Sequence, residues 1–459
     1  MKIKSSIFIF FIILFLSFGT ADALTITHPE TTNETVNEAG IFFSGKIDKY
    51  EKVFINGIQM HPAKKGAFSY SFRLKEGENI FAVQKKDFFF YTETLSYKIT
   101  RISAKQDEFY NKFMEIEPSY YITTRDNVVL RSTPLDEGMN RLGYLPQGTK
   151  VYVDGTQNEF SRIYLAKDKF GWAFTKDLEK SKENLYNPVQ ILDSNQLKNE
   201  KEITTVIELS ENCPYSAVVE DNKLIVTIYN LDNSSETFSK EFRLDKFPRY
   251  SICLQNNILY ITQKKNPINK TYSNKDIKII IDAGHGGTET GAVGCLGDKE
   301  KNLNLEVALK LKKILEEHHF NVKLTREFDK FISLNDRIDY AKNEDALIFI
   351  SIHLNSVPIS DDPNLNQGTV VFYFNPQSKE LAKCLSKNVS QELHSINGGA
   401  TQKSFAVIRP TEYIGALVEL AYLVNPQDVK IYKNKKFAQS SAEGIYKGLA
   451  NYIHSEIEK

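Results

Sequence analysis

Residues 276–457 read as an α/β domain whose mostly parallel sheet is flanked by helices, and the chain before them as three small all-β domains. Two patterns predict this. From Ile277 onward, short apolar runs at 279–281, 322–324, 347–352, 370–374 and 416–420 are separated by longer helical stretches, and strands alternating with helices imply an α/β sheet. Before that point apolar and polar residues alternate with period two between turn residues, the mark of half-buried strands. The length of 459 residues also exceeds that of one ordinary domain.

In chain order, residues 1–23 carry Lys2 and Lys4, an apolar run from Ile7 to Leu16, and the small-x-small triplet Ala21-Asp22-Ala23. This is the pattern of a secretory signal peptide. The run is shorter than the roughly 18 apolar residues that a spanning helix needs, and no cysteine precedes Cys213, so a lipid-modified cysteine at the cleavage site is excluded. The expectation is an exported protein, in the periplasm or the extracellular cell wall, without a stable membrane anchor after cleavage. Export permits disulfides, and among Cys213, Cys253, Cys295 and Cys384 the pairing to test is Cys213 with Cys253. Lys+Arg and Asp+Glu both number 58, which leaves no net field to draw the chain to nucleic acid.

In residues 24–101, Phe68, Tyr70, Phe72 and Leu74 alternate, as do Leu95, Tyr97 and Ile99. With the turn signals Asn56-Gly57, Gly66 and Lys75-Glu-Gly-Glu-Asn79, the segment resembles exported immunoglobulin-like β-sandwiches. Residues 117–180 contain Asp126-Asn-Val-Val-Leu-Arg131-Ser-Thr-Pro134, Leu145-Pro-Gln-Gly148 and Phe170-Gly-Trp172. They resemble the bacterial SH3-like barrel, a resemblance that implies cell-wall peptide binding; Trp172 is expected in the barrel core rather than in a ligand groove. Residues 186–265 alternate again, at Leu224, Val226 and Ile228 and at Ile258 and Tyr260, with a resemblance to the AMIN domain of wall hydrolases. A polar, basic linker, Gln263 to Lys275, precedes the last domain.

That last domain carries the chemistry. His285, Glu300, His353 and Glu419 each stand just after or beside an apolar run, and ligands of open α/β sheets gather at the carboxyl ends of strands. Two imidazoles and two carboxylates are the inventory of a catalytic zinc site, in which three N or O ligands leave one position for water and a separate carboxylate handles that water's proton. Singly, each residue has an ordinary use: Glu300 as a first-turn carboxylate, His353 as a core histidine, Asp282 as a turn cap. Cys295 lies between His285 and Glu300 as a conceivable soft ligand, but no Cys-x-x-Cys spacing accompanies it. His318 and His319, at a helix end, are expected to be solvated. The helix from Asn302 to Glu317 should bury Leu305, Ala308, Leu311 and Leu315, with Val307 and Ile314 beside them.

Asp282-x-Gly-His285-Gly-Gly, Glu300-Lys-Asn-Leu-Asn-Leu305, Leu324-Thr-Arg326, Leu334-Asn-Asp-Arg337, Ser351-Ile-His353-Leu-Asn355 and Val418-Glu419 follow in order. In this, residues 277 to 456 resemble the N-acetylmuramoyl-L-alanine amidases. The resemblance implies a zinc hydrolase of peptidoglycan that cuts the amide between muramic acid and L-alanine, with Zn2+ on His285, Glu300 and His353 and with Glu419 as the catalytic carboxylate. Asp282 is expected to orient His285 from behind and Asn355 to support the site, while Arg326 and Arg337 are open between meeting acidic groups of the stem peptide and the structural ion pairs that arginines at strand and helix ends more often make. The sequence departs from the family at Ala283, where proline is usual, and at Ala421-Tyr-Leu-Val-Asn425. Between His353 and Phe405 one strand and one helix, Ser378 to His394, are expected, with no further helix to plug the site. The alternatives are a peptidase acting within the stem peptide and a non-catalytic wall-binding protein.

Overall fold

The computed structural model describes residues 24–86, 91–102, 112–182, 188–230, 237–244, 248–268 and 272–458. The signal-peptide segment 1–23 lies outside them. Among the described residues no helix is long and apolar enough to cross a membrane.

The C-terminal sheet has six strands: β1 (Lys278–Ala283), β2 (Asn321–Leu324), β3 (Ile348–Asn355), β4 (Thr369–Tyr373), β5 (Asn397–Gln402) and β6 (Ile414–Tyr422). Their spatial order is β2-β1-β3-β6-β4-β5, and every pairing is parallel except β6 with β4. Four long helices join the strands: α1 (Glu300–Glu317), α2 (Leu334–Asn343), α3 (Lys379–Leu393) and, after a one-turn α4 (Val429–Tyr432), α5 (Phe437–Glu458). One face of the sheet is buried with Val307, Leu311, Leu385 and Leu449 of α1, α3 and α5. On the other face Ile280, Phe349, Phe372 and Leu417 pack with Ala341 of α2 and with Val407 and Ile408. The strand β5 was not anticipated: Asn397–Gln402 is polar and glycine-rich, and its membership rests on pairing with β4 rather than on an apolar pattern.

Ahead of this domain the described residues form five sheets with no long helices between their strands. The first two share one core around Phe43, Val53, Val83 and Ile99. The strand Ala67–Arg73 buries Phe68 there, while its small alternate residues Ala67 and Ser69 are buried on the opposite side. A single seven-stranded sheet spans Met114 to Lys180. Trp172 is among the buried hydrophobic residues, its ring edge-on to Phe113 at 6.1 Å between centroids, while its neighbour Ala173 joins the cluster of Leu130, Val153 and Ile163. Two further sheets, between Ile191 and Lys264, close on Ile207, Leu224, Ile228 and Leu259. Gln263 and Lys264, expected in the linker, belong to the strand Ile258–Lys264 and pair with Tyr250 and Arg249. Cys213 and Cys253 are not bonded to each other: both thiols are free, Cys213 buried and Cys253 exposed, and burial pushes the Cys213 thiol far above its ordinary range.

The β modules touch the α/β domain through defined bonds. Ser69 donates its hydroxyl to the Val424 carbonyl at 2.8 Å, Asn364 donates to the Ser69 carbonyl at 3.1 Å, and Ser71 donates to the Asp361 carbonyl at 3.1 Å. Tyr250 and Thr411 exchange two hydrogen bonds, 2.9 Å and 2.5 Å. Arg249, itself buried, donates to the Ala346 carbonyl at 3.2 Å.

Candidate active site

Strand β1 delivers Asp282 and Ala283 to the carboxyl edge of the sheet, where the chain turns sharply through Gly284, His285, Gly286 and Gly287. His285 itself has φ +60°, a left-handed conformation that costs an ordinary side chain about 1–2 kcal/mol and marks a constrained position. Gly284 has no alternative there, since a Cβ on it would lie 2.2 Å from Cε1 of His353. The turn is gripped from behind by two arginines. Arg326 donates to the carbonyls of Ala283 and Gly284, both at 2.9 Å, and to that of Lys301 at 2.8 Å. Arg337 donates to the carbonyls of Ala283 at 2.8 Å and His285 at 2.9 Å.

Those bonds select the structural role for both arginines over contact with the stem peptide. Arg326 and Arg337 are 1% and 2% exposed, so neither guanidinium can reach a stem peptide. For Asp282 the expectation is corrected. Its Oδ1 accepts from Arg337 at 2.6 Å and Thr325 at 2.7 Å and its Oδ2 from Ser351 at 2.8 Å, so it steers the His285 turn through Arg337 rather than by contact with the imidazole. Burial opposes ionisation of Asp282, but the Arg337 charge and the three donors outweigh it and hold the carboxyl below its usual range.

Glu300 opens α1, where the helix dipole favours a carboxylate. It is buried, and its Oε2 accepts from the Ala292 amide at 2.8 Å while its Oε1 accepts from the Leu354 amide and from Asn304, both at 3.2 Å. Asn304 also donates to the Gly284 carbonyl at 3.2 Å. Sequence reasoning missed Asn304; the available signal was a polar residue one turn after Glu300 on the face that buries Ala308 and Leu311. The predicted stripe is otherwise present, with Leu305 and Ile314 at its half-buried margin.

His285, Glu300 and His353 converge. His285 Nε2 lies 3.2 Å from Glu300 Oε2 and His353 Nδ1 lies 2.9 Å from Glu300 Oε1, the imidazole rings standing edge to face at 5.0 Å. One ligand atom from each residue lies within 4.8 Å of the others. Burial would raise Glu300, but hydrogen bonds from both histidines hold it well below the carboxylate range. Burial likewise lowers His285, and the Glu300 bond and charge reverse the direction, so the imidazole is raised.

Glu419 sits on β6 directly beside His353 in the parallel register. It is buried, and its Oε2 has no hydrogen-bond partner among the described residues. Burial and the Glu300 charge push this carboxyl well above its ordinary value, with the Lys403 ammonium pulling the other way. Two carboxylates in one site are thus driven apart in acidity, the condition for different chemical roles. Asn355 ends β3, where its Oδ1 caps the Ser356 amide at 2.8 Å. Cys295 is not among the convergent ligands: it is buried against the Val424 carbonyl at 3.3 Å. His318 stacks on Tyr446 at the end of α1 and stays exposed with His319.

Comparison with known proteins agrees with this geometry. The model of the N-acetylmuramoyl-L-alanine amidase family matches residues 279–451. Over 194 residues the chain is 34% identical to a probable cell wall amidase, LytH, of Staphylococcus epidermidis, covering 41% of this chain and 64% of that protein. It is 31% identical over 178 residues to the uncharacterized protein YqiI of Bacillus subtilis, covering 38% of this chain and 84% of that one. It is 27% identical over 225 residues to the N-acetylmuramoyl-L-alanine amidase AmiA of Escherichia coli, covering 38% of this chain and 76% of that one. The chain thus spans about 64% of the length of the LytH relatives. By its C-terminal α/β domain and the convergent residues that domain carries, the chain belongs to the N-acetylmuramoyl-L-alanine amidase family.

Proposed function

We propose that the protein is an exported peptidoglycan hydrolase that cleaves the amide between N-acetylmuramic acid and the L-alanine of the stem peptide. The observation that carries this reading is the convergence of His285, Glu300 and His353 beside a buried Glu419 oxygen without a partner among the described residues. Two imidazoles and a carboxylate are a donor set suited to Zn2+, and an orphaned buried oxygen costs stability unless something at the site engages it. His285, Glu300 and His353 would hold the metal. Bound zinc supplies an activated water at neutral pH and polarises the scissile carbonyl.

The remaining steps belong to the chain. Glu419 accepts the proton of the attacking water on its unpaired oxygen and returns it to the departing alanine nitrogen, which would otherwise leave as an unstable anion. Its raised acidity range suits this exchange, because a carboxyl that binds its proton more firmly is the better base. Glu300 stays ionised under its donors. Asp282, Arg337 and Arg326 keep the His285 turn in place, so the imidazole meets its partners without rearrangement. Residues 1–23 supply the export signal, and the immunoglobulin-like (24–101), SH3-like (117–180) and AMIN-like (186–265) modules hold the enzyme on the wall.

The test is digestion of purified peptidoglycan by the mature chain, with and without a chelator, beside Glu419→Gln, with products identified by mass. Release of intact stem peptides from uncut glycan, abolished by the chelator and reduced at least about a hundredfold by Glu419→Gln, is the expected result. Cuts within the stem would make it a peptidase. Absence of both cleavage and zinc binding would make it a wall-binding protein.

A further inference from the structure

Between β2 and α2 the chain runs irregularly from Thr325 to Ser333, and it is fastened at several points to the turn that carries His285. The Gly287 amide donates to Asp329 Oδ1 at 2.7 Å, and Lys301 donates to Asp329 Oδ2 at 2.6 Å and to the Gly287 carbonyl at 2.8 Å. Arg337, which holds the His285 carbonyl, also donates to the Ile332 carbonyl at 3.0 Å. The two segments touch too closely for side chains on the turn: a Cβ on Gly286 would lie 2.1 Å from the Lys330 carbonyl oxygen, and one on Gly287 2.6 Å from the Phe331 nitrogen. With about 3.8 Å between consecutive Cα atoms, the Phe331 nitrogen stands within about 12 Å of the His285 Cα.

A segment held so firmly could bury its apolar side chains; this one displays them. Phe328, Phe331 and Leu334 are 62%, 49% and 57% exposed. Large apolar side chains gathered on one exposed loop mark a place where something docks, and the loop's own chemistry narrows what. Glu327 and Asp329 neutralise Lys312 and Lys301 of α1, so the loop lacks the cluster of roughly four or more unpaired basic residues that an anionic lipid surface selects. An aromatic side chain buries about 150–250 Å² in all, and three side chains about half exposed fall well short of the roughly 800 Å² per partner of a stable protein interface. An extended peptide docks through main-chain hydrogen bonds, yet the carbonyls of Phe328 and Ile332 are already taken by Arg326, at 3.4 Å, and by Arg337. A sugar needs none of these. The axial C–H bonds of a pyranose chair make one face apolar and weakly positive, the complement of the negative face of an aromatic ring, and the hydroxyls at the rim stay in water. The Lys330 ammonium, 5.1 Å from the centre of the Phe328 ring, restrains that ring.

We propose that Phe328 and Phe331 form a stacking subsite for the glycan strand, seating sugar rings that neighbour the muramic acid whose amide is cut. The assignment rests on the amidase reading. It makes the enzyme favour a stem carried on a long glycan over the same stem on a single disaccharide, because further rings reach the loop while the amide occupies the site.

The experiment offers the zinc-loaded full chain two soluble substrates with the same stem peptide, one on a single disaccharide and one on a glycan of several disaccharides. The wild type should favour the longer glycan about tenfold through KM. The double variant Phe328→Ala, Phe331→Ala should lose that preference by raising KM on the long glycan, and Phe328→Tyr, Phe331→Tyr should keep it. Calorimetry should agree without turnover, glycan strands stripped of their stems binding the alanine double variant about tenfold more weakly than the wild type. Either a wild type indifferent to glycan length or equal binding of stripped glycan by wild type and alanine variant would overturn the subsite. So would sedimentation of the wild type, but not of that variant, with phosphatidylglycerol vesicles, which would make the loop a membrane contact. A wild type that cleaves neither substrate, though it binds zinc, overturns the amidase reading instead, and the stripped-glycan calorimetry then decides the subsite separately.

Discussion

Asp282 never touches the imidazole three residues on, yet it anchors that imidazole's turn: it holds Arg337, and Arg337 holds the carbonyls of Ala283 and His285. Asp282→Asn removes the charge partner of a guanidinium 3% exposed. Breaking one side of such a buried pair costs about 3–5 kcal/mol, readable by urea unfolding. The pH dependence has a definite sign. The folded-state pKa is depressed, so the contribution is complete above the unfolded value of about 3.9 and is lost as pH falls through the folded value. The gap between wild type and Asp282→Asn should be widest at neutral pH and shrink below about pH 4; a gap independent of pH would count against the charge pair. A second residue is constrained by space. A Cβ on Gly291 would lie 2.4 Å from Glu300 Oε2 and 2.6 Å from His285 Cδ2, at φ +66°. Gly291→Ala should therefore weaken zinc about tenfold or more in a chelator competition, and unchanged affinity would show that the cradle yields. The sequence made the ligand candidates legible because imidazoles and carboxylates after apolar runs have few other uses in combination. It left the arginines open between a structural ion pair and a ligand contact, because charge predicts exposure on average and only three-dimensional depth reveals a guanidinium surrounded by carbonyls.

Among the elements, the segment between β3 and β4 is the most dependent on its surroundings. It runs irregularly from Ser356 to Gly368, and its carbonyls at Pro363 and Asn366 are bound by the fully buried Asn425 side chain at 2.9 Å and 2.8 Å. Asp428 holds its far end through the Gly368 amide at 2.7 Å. Asn425→Ala leaves two carbonyls without their donor, at a cost of about 1–3 kcal/mol. Amides from Asn364 to Gly368 should then exchange hydrogen faster while those of β3 and β6 keep their protection; loss of protection throughout the sheet would instead mark Asn425 as a global support. Strands β1, β3 and β6 were readable as continuous apolar runs because both of their faces are covered. The edge strand β5 was not, since an edge has less to bury and its polar, glycine-rich sequence resembles a loop.

For the whole molecule, the small residues of the first module matter more than its large ones. The aromatic alternation from Phe68 to Leu74 announced one buried face; the other, with Ala67 and Ser69, is covered by the α/β domain, and nothing in so short a polar-and-small pattern announces a partner. Gly40, on the neighbouring strand Gly40–Lys46, has room for no side chain: a Cβ would stand 2.9 Å from the Ser360 carbonyl oxygen. Gly40→Val should part the two surfaces, accelerate hydrogen exchange between Ile359 and Asn364, and leave the six-stranded sheet protected. Unaltered exchange would mean the contact is easily given up. The bonds from Ser69, Tyr250 and Arg249 into the α/β domain bear on how the proposed enzyme would meet a polymer. A blade on a slack leash cuts anywhere within its radius; a blade bolted to its handle cuts at a set distance from wherever the handle is gripped, and the spacing of its cuts is then written into the joints rather than into the edge.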